Sequence, residues 1–530
     1  MEAKVAQVND LNDGQMMKVM AGERVVLLAK VDGQLYATGA VCPHYGGKLN
    51  EGLLHEARLM CPLHQATFDV RTGHVLEPPP LNGIPRFDVR VDGADVYVTV
   101  PDDAPERVSN PMAAFDPQAD GRTFAVIGGG AGAAAAVEAL RQEGYPGRIV
   151  MISPEDRWPY DRPNLSKDYL TGQAPASWLA LRPARFYQEH GIERMHDRVT
   201  ALEVKTRTIR LESGGSLTPD AVLVATGGTP RKLDVPGADL AGVFTLRSRE
   251  DCDAILAALP EAKQAVVIGA SFIGMETAAS LRARGLAVTV ISNTEVPFER
   301  TLGREVGGML RQLHEENGVA FQVGRSVRRI LGDGRAGGVE LDDGSALLSD
   351  LVIVGIGVRP ATDFVQGASL NPDGSLDVDE QFRVVGVEGV WATGDIARFP
   401  YPRGAGGERV RIEHWRVALQ HGRAAAKSMA GRGEPFQGVP FFWTLQHGVS
   451  VKYAGYAREW DEAMITGDIQ GRKFLGYYVK GNRLLAAVGT LSGHLLSFAE
   501  LLRLDRLPAA DTLRGKPPEE ITRVLKAAIQ

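Results

Sequence analysis

The sequence predicts a multidomain α+β fold: an all-β domain at the N-terminus, two Rossmann-like α/β domains, and an α+β domain at the C-terminus. Three observations predict it. Residues 1 to about 103 alternate in strand fashion between glycine and proline punctuation. An apolar strand, a Gly-rich turn and a helix follow one another twice, at Gly128 and at Gly269. The chain of 530 residues is too long for one core, so three or four domains are expected.

In the first segment, Arg24-Val25-Val26-Leu27-Leu28 and Val96-Tyr97-Val98-Thr99-Val100 are the clearest strands, with Gly33, Gly93 and Pro78-Pro79-Pro80 as breaks. Within it stand Cys42-Pro43-His44 and Cys61-Pro62-Leu63-His64, sixteen residues apart. Each motif offers one soft thiolate and one imidazole. Two of each are what a Rieske [2Fe–2S] centre needs, because one iron takes two Cys and the other two His. Gly46, Gly47 and Gly73 allow the backbone to turn close to a cluster, and Pro43 and Pro62 stiffen the loops. Zinc is the competing reading, but it usually takes Cys–Cys or His–His pairs at short spacing. Cys42, His44, Cys61 and His64 are therefore the expected metal ligands of a Rieske domain over 1–103. Residues 104–121, rich in Pro, Asp and Ala, read as a linker.

Phe124-Ala125-Val126-Ile127 then reads as a buried strand entering Gly128-x-Gly130-x-x-Ala133, an Ala-rich helix to Arg141, and a strand at Ile149 to Ile152 that ends near Glu155. That is a βαβ dinucleotide unit, with the pyrophosphate expected at the helix N-terminus. A second copy runs Ala265-Val266-Val267-Ile268, Gly269 to Glu276, a helix, and a strand at Ala287 to Ile291. Two such units imply two dinucleotides, most simply FAD and a nicotinamide, because a hydride donor needs an acceptor. Leu223 to Gly228, with Thr226 and Gly227, closes the first unit, and Val354 to Gly357 closes the second. Val390 to Asp395 adds a strand ending in Gly394-Asp395, suited to a ribityl-phosphate or to a helix N-cap. The expected divisions are an FAD-binding domain over 122–246 and 373–433, an NAD(P)-binding domain over 247–372, and a C-terminal domain over 434–530. That last part mixes strands such as Phe474 to Tyr478 with a helix near Leu496 to Leu502.

Taken together these motifs resemble the two-dinucleotide flavoprotein reductases, above all the apoptosis-inducing-factor-like flavoproteins with an N-terminal Rieske domain and their ferredoxin reductase relatives. The most specific pieces are Pro159 to Lys167, Gly269 to Glu276, Ala392-Thr393-Gly394-Asp395, Glu413-His414-Trp415 and Phe441-Phe442-Trp443-Thr444. The resemblance implies that Gly128, Gly130, Glu155, Arg162 and Lys167 contact FAD, with Glu155 on the adenosine ribose. It implies a catalytic pair, Lys167 beside the flavin N5 and Glu276 as its partner. Phe272 would cover the nicotinamide face of the flavin, Gly394 and Asp395 would hold the ribityl-phosphate region, Trp443 would lie near the ring, and Glu413 and His414 would face the nicotinamide. Ala133 stands at a fingerprint position where Ala is accepted, and Ser271 replaces the middle Gly of the second unit. Ser292-Asn293-Thr294 stands where NAD-preferring enzymes carry an acid, and no adjacent Arg replaces it, so NADH and NADPH both stay open. High-potential Rieske proteins carry Ser and Tyr where this chain has Ala66 and Phe68, so a low-potential centre is expected, roughly −150 mV.

Composition sets outer bounds. Net charge is −6, with 23% charged and 44% hydrophobic residues, so nothing favours nucleic acid or an anionic membrane. Met1 to Gly14 lacks an apolar signal core and no run of about 18 apolar residues occurs, so a cytoplasmic location is expected. The third cysteine, Cys252, reads as a structural thiol in a first helical turn after Ser248. A disulfide reductase is excluded because no cysteine pair is left for it. A Rieske oxygenase needs two His and a carboxylate for iron, and the downstream histidines lack that spacing. A sirohaem nitrite reductase needs four more cysteines.

The expected function is an FAD-dependent oxidoreductase that passes electrons from NADH or NADPH through FAD to the Rieske centre. An exposed His44 or His64 would hand them to a protein or small-molecule acceptor. The alternatives are a redox sensor read by partners, as in apoptosis-inducing factor, and a Rieske module that serves mainly for docking.

Overall fold

The computed structural model describes residues 1–403 and 408–529. The alternating N-terminal segment builds two antiparallel sheets. One has six strands in the order Glu2–Gln7, Asp95–Thr99, Arg86–Asp92, Gln34–Gly39, Arg24–Val31, Met16–Ala21. The other has four, Leu53–His55, Arg58–Met60, Thr67–Asp69 and Val75–Glu77. The first Cys/His loop leaves strand Gln34–Gly39, and the second joins Arg58–Met60 to Thr67–Asp69. Leu27, Leu49, Leu59, Phe68 and Ile84 are fully buried beneath these loops, and Cys42 and Cys61 belong to the same core.

Residues 104–121 contain no helix and no named strand, yet they are strapped down at both ends. Asn110 Oδ1 accepts from the Val75 N–H at 3.1 Å, and the Ala113 and Asp116 N–H groups donate to the Arg141 and Pro146 carbonyls at 2.8 and 2.9 Å. The segment therefore ties the all-β domain to the next one along its length.

The first Gly-rich unit is a five-stranded parallel sheet in the order Ile192–His196, Arg148–Ser153, Thr123–Ile127, Ala221–Val224, Val390–Ala392. Helix Ala131–Gln142 lies on it, and its small side chains let helix Trp415–Met429 approach closely. A Cβ on Gly422 would stand 2.2 Å from the Gly132 carbonyl. The second unit repeats the plan, Val243–Phe244, Leu351–Val354, Gln264–Ile268, Ala287–Ser292, Val319–Val323, all parallel. Between the units, helix Arg249–Ala258 is capped by Ser248, whose Oγ accepts from the Asp251 N–H at 3.1 Å. Cys252 lies buried in that helix, its thiol 3.2 Å from the Leu165 carbonyl, and burial pushes it up to about 12, as a structural thiol requires.

The C-terminal part is an antiparallel sheet, Phe441–Gln446, Val449–Gly455, Arg483–Gly489, Lys473–Lys480, Glu462–Asp468, backed by helices Ser492–Leu504 and Pro518–Ile529. Tyr477, Phe498, Leu501 and Leu525 fill the space between them. Among the described residues no helix is long and apolar enough to cross a membrane.

Candidate functional site

The two ligand loops bring like with like. The Nδ1 atoms of His44 and His64 face one another at 3.1 Å, with the rings 4.8 Å apart. Cys42 and Cys61 act on one another: hydrogen bonding to Cys61, then burial, pushes Cys42 up, while Cys42 pulls Cys61 down, helped by the backbone N–H groups of Leu63 and His64. Burial holds both imidazoles far below the usual histidine range, in the neutral form that ligates a metal. Among the described residues no three His, Cys, Asp or Glu side chains converge as on a single ion. One Cys pair beside one His pair instead suits a centre in which each iron takes two protein ligands. The donors reaching these thiols are backbone N–H groups, from His44 and Tyr45 to Cys42 and from Leu63 and His64 to Cys61. Ala66 and Phe68 are buried and carry no hydroxyl.

A cleft of about 1150 Å³ opens across the two parallel sheets. Its floor is the first switch point, where Gly128 follows one strand and Thr226 and Gly227 follow its neighbour. Gly128 has φ +131°, and a Cβ there would lie 2.3 Å from the Ala225 carbonyl. Gly269 occupies the matching place in the second unit, with φ +106° and a Cβ position 2.4 Å from the Gly355 carbonyl. Gly130, Glu155 and Arg162 line the cleft. The Glu155 carboxylate accepts from Tyr160 Oη at 2.6 Å and pairs with Arg162. Gly394 and Asp395 line the same wall, and Asp395 meets Arg247 at 2.9 Å instead of capping the turn it belongs to. Beside them the buried Thr393 Oγ1 has no hydrogen-bond partner among the described residues, as expected of a wall built for a polar ligand. Ala133, Gly269 and Gly274 stand behind the wall. Ala133 is fully buried, and a Cβ on Gly274 would strike the Gly269 carbonyl at 2.1 Å, so these positions shape the turns.

At the head of the cleft Lys167 Nζ meets Glu276 Oε2 at 2.6 Å. Glu276 is 4% exposed and also accepts from Ser166 Oγ and Thr444 Oγ1, both at 2.7 Å. Behind it a one-way chain of donors runs inward: His447 Nε2 lies 3.2 Å from His314 Nδ1, His314 Nε2 lies 2.8 Å from Gln446 Oε1, and Gln446 Nε2 donates to Thr444 Oγ1 at 2.9 Å. Phe272 and Phe442 meet edge to face in the wall. Glu413 is raised by burial against its Arg411 partner, and burial pulls His414 down to about 3, so the imidazole is neutral. At the nucleotide end of the second unit, the Ser292 hydroxyl is engaged within its own turn, 3.0 Å from Thr294 Oγ1.

The two centres share a wall, and this corrects one expectation. His44 and His64 are half-buried, not exposed. Strand Phe441–Gln446 carries Trp443 from the cleft wall over His64, with ring centroids 4.1 Å apart, and to 6.2 Å from His44. The imidazoles therefore face the flavoprotein body. Tyr45 reinforces the junction: its hydroxyl accepts from Asn164 Nδ2 at 2.7 Å and donates to Asp161 Oδ2 at 3.3 Å. Both belong to the segment that ends in Lys167. From helix Trp415–Met429, Arg416 reaches the Gln65 and Pro78 carbonyls, and from strand Val449–Gly455, Lys452 reaches the Pro62 carbonyl at 3.0 Å. None of Tyr45, Arg416 and Lys452 was singled out by motif. A charged residue flanked by apolar ones, as in Val451-Lys452-Tyr453, was the only signal.

Comparison with known proteins agrees with this geometry. The Rieske [2Fe-2S] domain family matches residues 1–88, the Pyridine nucleotide-disulphide oxidoreductase family residues 122–422, and the Reductase C-terminal family residues 441–500. Apoptosis-inducing factor 3 of Homo sapiens is 36% identical over 92% of this chain and 81% of its own length. The 5,5'-dehydrodivanillate O-demethylase ferredoxin reductase subunit of Sphingobium is 35% identical over 68% of this chain and 88% of its own. The crystal structure of the covalent putidaredoxin reductase–putidaredoxin complex matches with a TM-score of 0.72 and 29% identity, over 77% of this chain and 99% of that one. The chain thus carries FAD, NAD(P)H and [2Fe–2S] modules in one polypeptide, and it belongs to the pyridine nucleotide-disulphide oxidoreductase family, as a ferredoxin reductase-type flavoprotein with a Rieske domain at its N-terminus.

Proposed function

We propose that this oxidoreductase delivers electrons from NAD(P)H to its own Rieske centre before any external acceptor. FAD held along this cleft would supply the chemistry that links two-electron hydride transfer from a nicotinamide to one-electron delivery. The residues position and tune; none needs to act as a nucleophile. Lys167, held by Glu276, sets a cation where negative charge grows on the reduced ring system. Thr444 and Ser166 orient the Glu276 carboxylate from two sides. Glu155 and Arg162 serve the adenosine and pyrophosphate end, and Gly394 and Asp395 the ribityl-phosphate. Phe272 covers the nicotinamide side, with Glu413 and the neutral His414 beside it. Cys42, His44, Cys61 and His64 hold the two irons.

One observation carries the reading: Trp443 lines the cleft and packs on His64, so one side chain touches both the cleft and the Cys/His cluster. The test is anaerobic titration of the full chain with NADH and with NADPH, followed by absorbance and EPR. Bleaching of the flavin followed by a Rieske EPR signal supports the reading. Bleaching with a centre that dithionite reduces but nicotinamide never does overturns it. A protein acceptor of the ferredoxin-linked oxygenase kind is suggested by the relatives' names.

The similarity to apoptosis-inducing factor 3 favours a second reading, a redox sensor. A reduced, nicotinamide-bound state that reoxidises slowly, and that no added acceptor hastens, would select it.

A further inference from the structure

Lys452 is 5% exposed and lies mid-strand between Val451 and Tyr453. Its Nζ donates to the Pro62 carbonyl of the second ligand loop at 3.0 Å and to Ser492 Oγ. Among the described residues no carboxylate pairs with it. A buried ammonium without a counter-charge is expensive to desolvate, so its place needs a compensating negative charge. Burial pulls Lys452 down to about 8, still above neutral pH, and the anionic chemistry at hand that opposes this is Cys61, next to Pro62 in the same loop. Arg416, the other buried cation on this loop, differs: it has Glu77 at 3.8 Å and is spread over the carbonyls of Gln65, Pro78 and Val439.

An oxidised Rieske centre with two thiolates and two neutral imidazoles carries no net charge, and one electron makes it anionic. A fixed cation nearby, screened from water, favours the reduced form. Ala66 and Phe68 supply no hydroxyl to do this from within the domain. We propose that Lys452 is a positioning residue of the C-terminal domain that raises the reduction potential of the Rieske centre from outside the Rieske domain. The proposal rests on the two-iron centre and is independent of whether the flavin feeds it.

The test is an EPR-monitored redox titration of the full chain, poised chemically with mediators, on wild type, Lys452→Met, Lys452→Gln and Lys452→Arg. The neutral variants are expected to keep iron and flavin while the reduction equilibrium of the centre shifts at least tenfold toward the oxidised form, about 59 mV for one electron. Lys452→Arg stays near wild type, and the flavin potential does not move. Neutral variants with full iron and an unshifted midpoint overturn the proposal. Should Lys452→Met lose iron, Lys452→Gln, which keeps a donor toward Pro62, provides the reading. Iron retained by Lys452→Arg alone supports the need for charge; iron lost from Lys452→Arg as well assigns the residue to packing and overturns it. A normal midpoint shift in a centre that NAD(P)H never reduces would leave this proposal standing and sink the electron path above.

Discussion

The indole of Trp443 lies 4.1 Å from the imidazole of His64, centroid to centroid and tilted by 46°. One residue belongs to the reductase, the other to the iron-ligand loop. The contact makes the two modules neighbours and helps to half-bury the imidazole.

Replacing Trp443 by Leu tests that contact. Nicotinamide-driven bleaching of the flavin is expected to stay close to wild type, while reduction of the Rieske centre slows on the order of tenfold, about 1.4 kcal/mol of barrier. Stopped-flow absorbance under argon separates the two phases. Equal slowing of both would assign Trp443 to the cleft alone.

Lys167→Met removes the cation beside Glu276. Loss of a charge-stabilising donor of this kind typically lowers a rate about 100-fold. Flavin reduction by saturating NADH should fall by that order, with FAD still bound. A rate within threefold of wild type would remove Lys167 from the catalytic pair.

The two matched glycines test the assignment of one dinucleotide to each Gly-rich unit. At Gly128 and Gly269 an Ala Cβ would lie 2.3 and 2.4 Å from carbonyl oxygens, and both positions have positive φ. Strain of about 1–3 kcal/mol corresponds to roughly 5–150-fold weaker binding at the turn that carries it. Gly128→Ala should purify with depleted FAD. Gly269→Ala should purify yellow but show a raised KM for the nicotinamide. The absorbance ratio at 450 and 280 nm and steady-state kinetics read the two outcomes.

His421 predicts an acid-sensitive fold. It is fully buried against Phe382, Phe399 and Phe436, with neither ring nitrogen hydrogen-bonded among the described residues. Burial pulls it from 6.5 to about 3, so between those values the unfolded chain holds a proton that the folded chain refuses. Its contribution is complete above pH 6.5 and is lost as pH falls toward 3, with a slope of at most about 1.4 kcal/mol per pH unit. His421→Phe should flatten the fall in melting temperature between pH 6.5 and 4.5. An unchanged slope would exclude His421 as a source.

Much of the site was legible because its chemistry is local. A thiolate and an imidazole two or three residues apart, and a glycine between an apolar strand and an Ala-rich helix, carry their purpose within a few residues. Lys167 and Glu276 are 109 residues apart, and only a family resemblance paired them before the structure brought them to 2.6 Å. Gln446 and His314 were silent, and Thr444 stood out only as part of a motif, because a hydrogen-bond chain needs direction as well as residue type. The expected exposed histidine was wrong for a related reason. Burial of a loop by another domain leaves no mark on the loop itself.

The sequence by itself determined the two Cys/His motifs, the two strand–glycine–helix turns and the order of the domains, because short-range backbone geometry and residue chemistry act over a few residues. Tertiary structure alone decided that the Rieske domain meets the reductase through His64, and that Arg416 and Lys452 seat its second ligand loop. Those relations arise where distant surfaces exclude water together, and the pairing of surfaces is a property of the packed molecule.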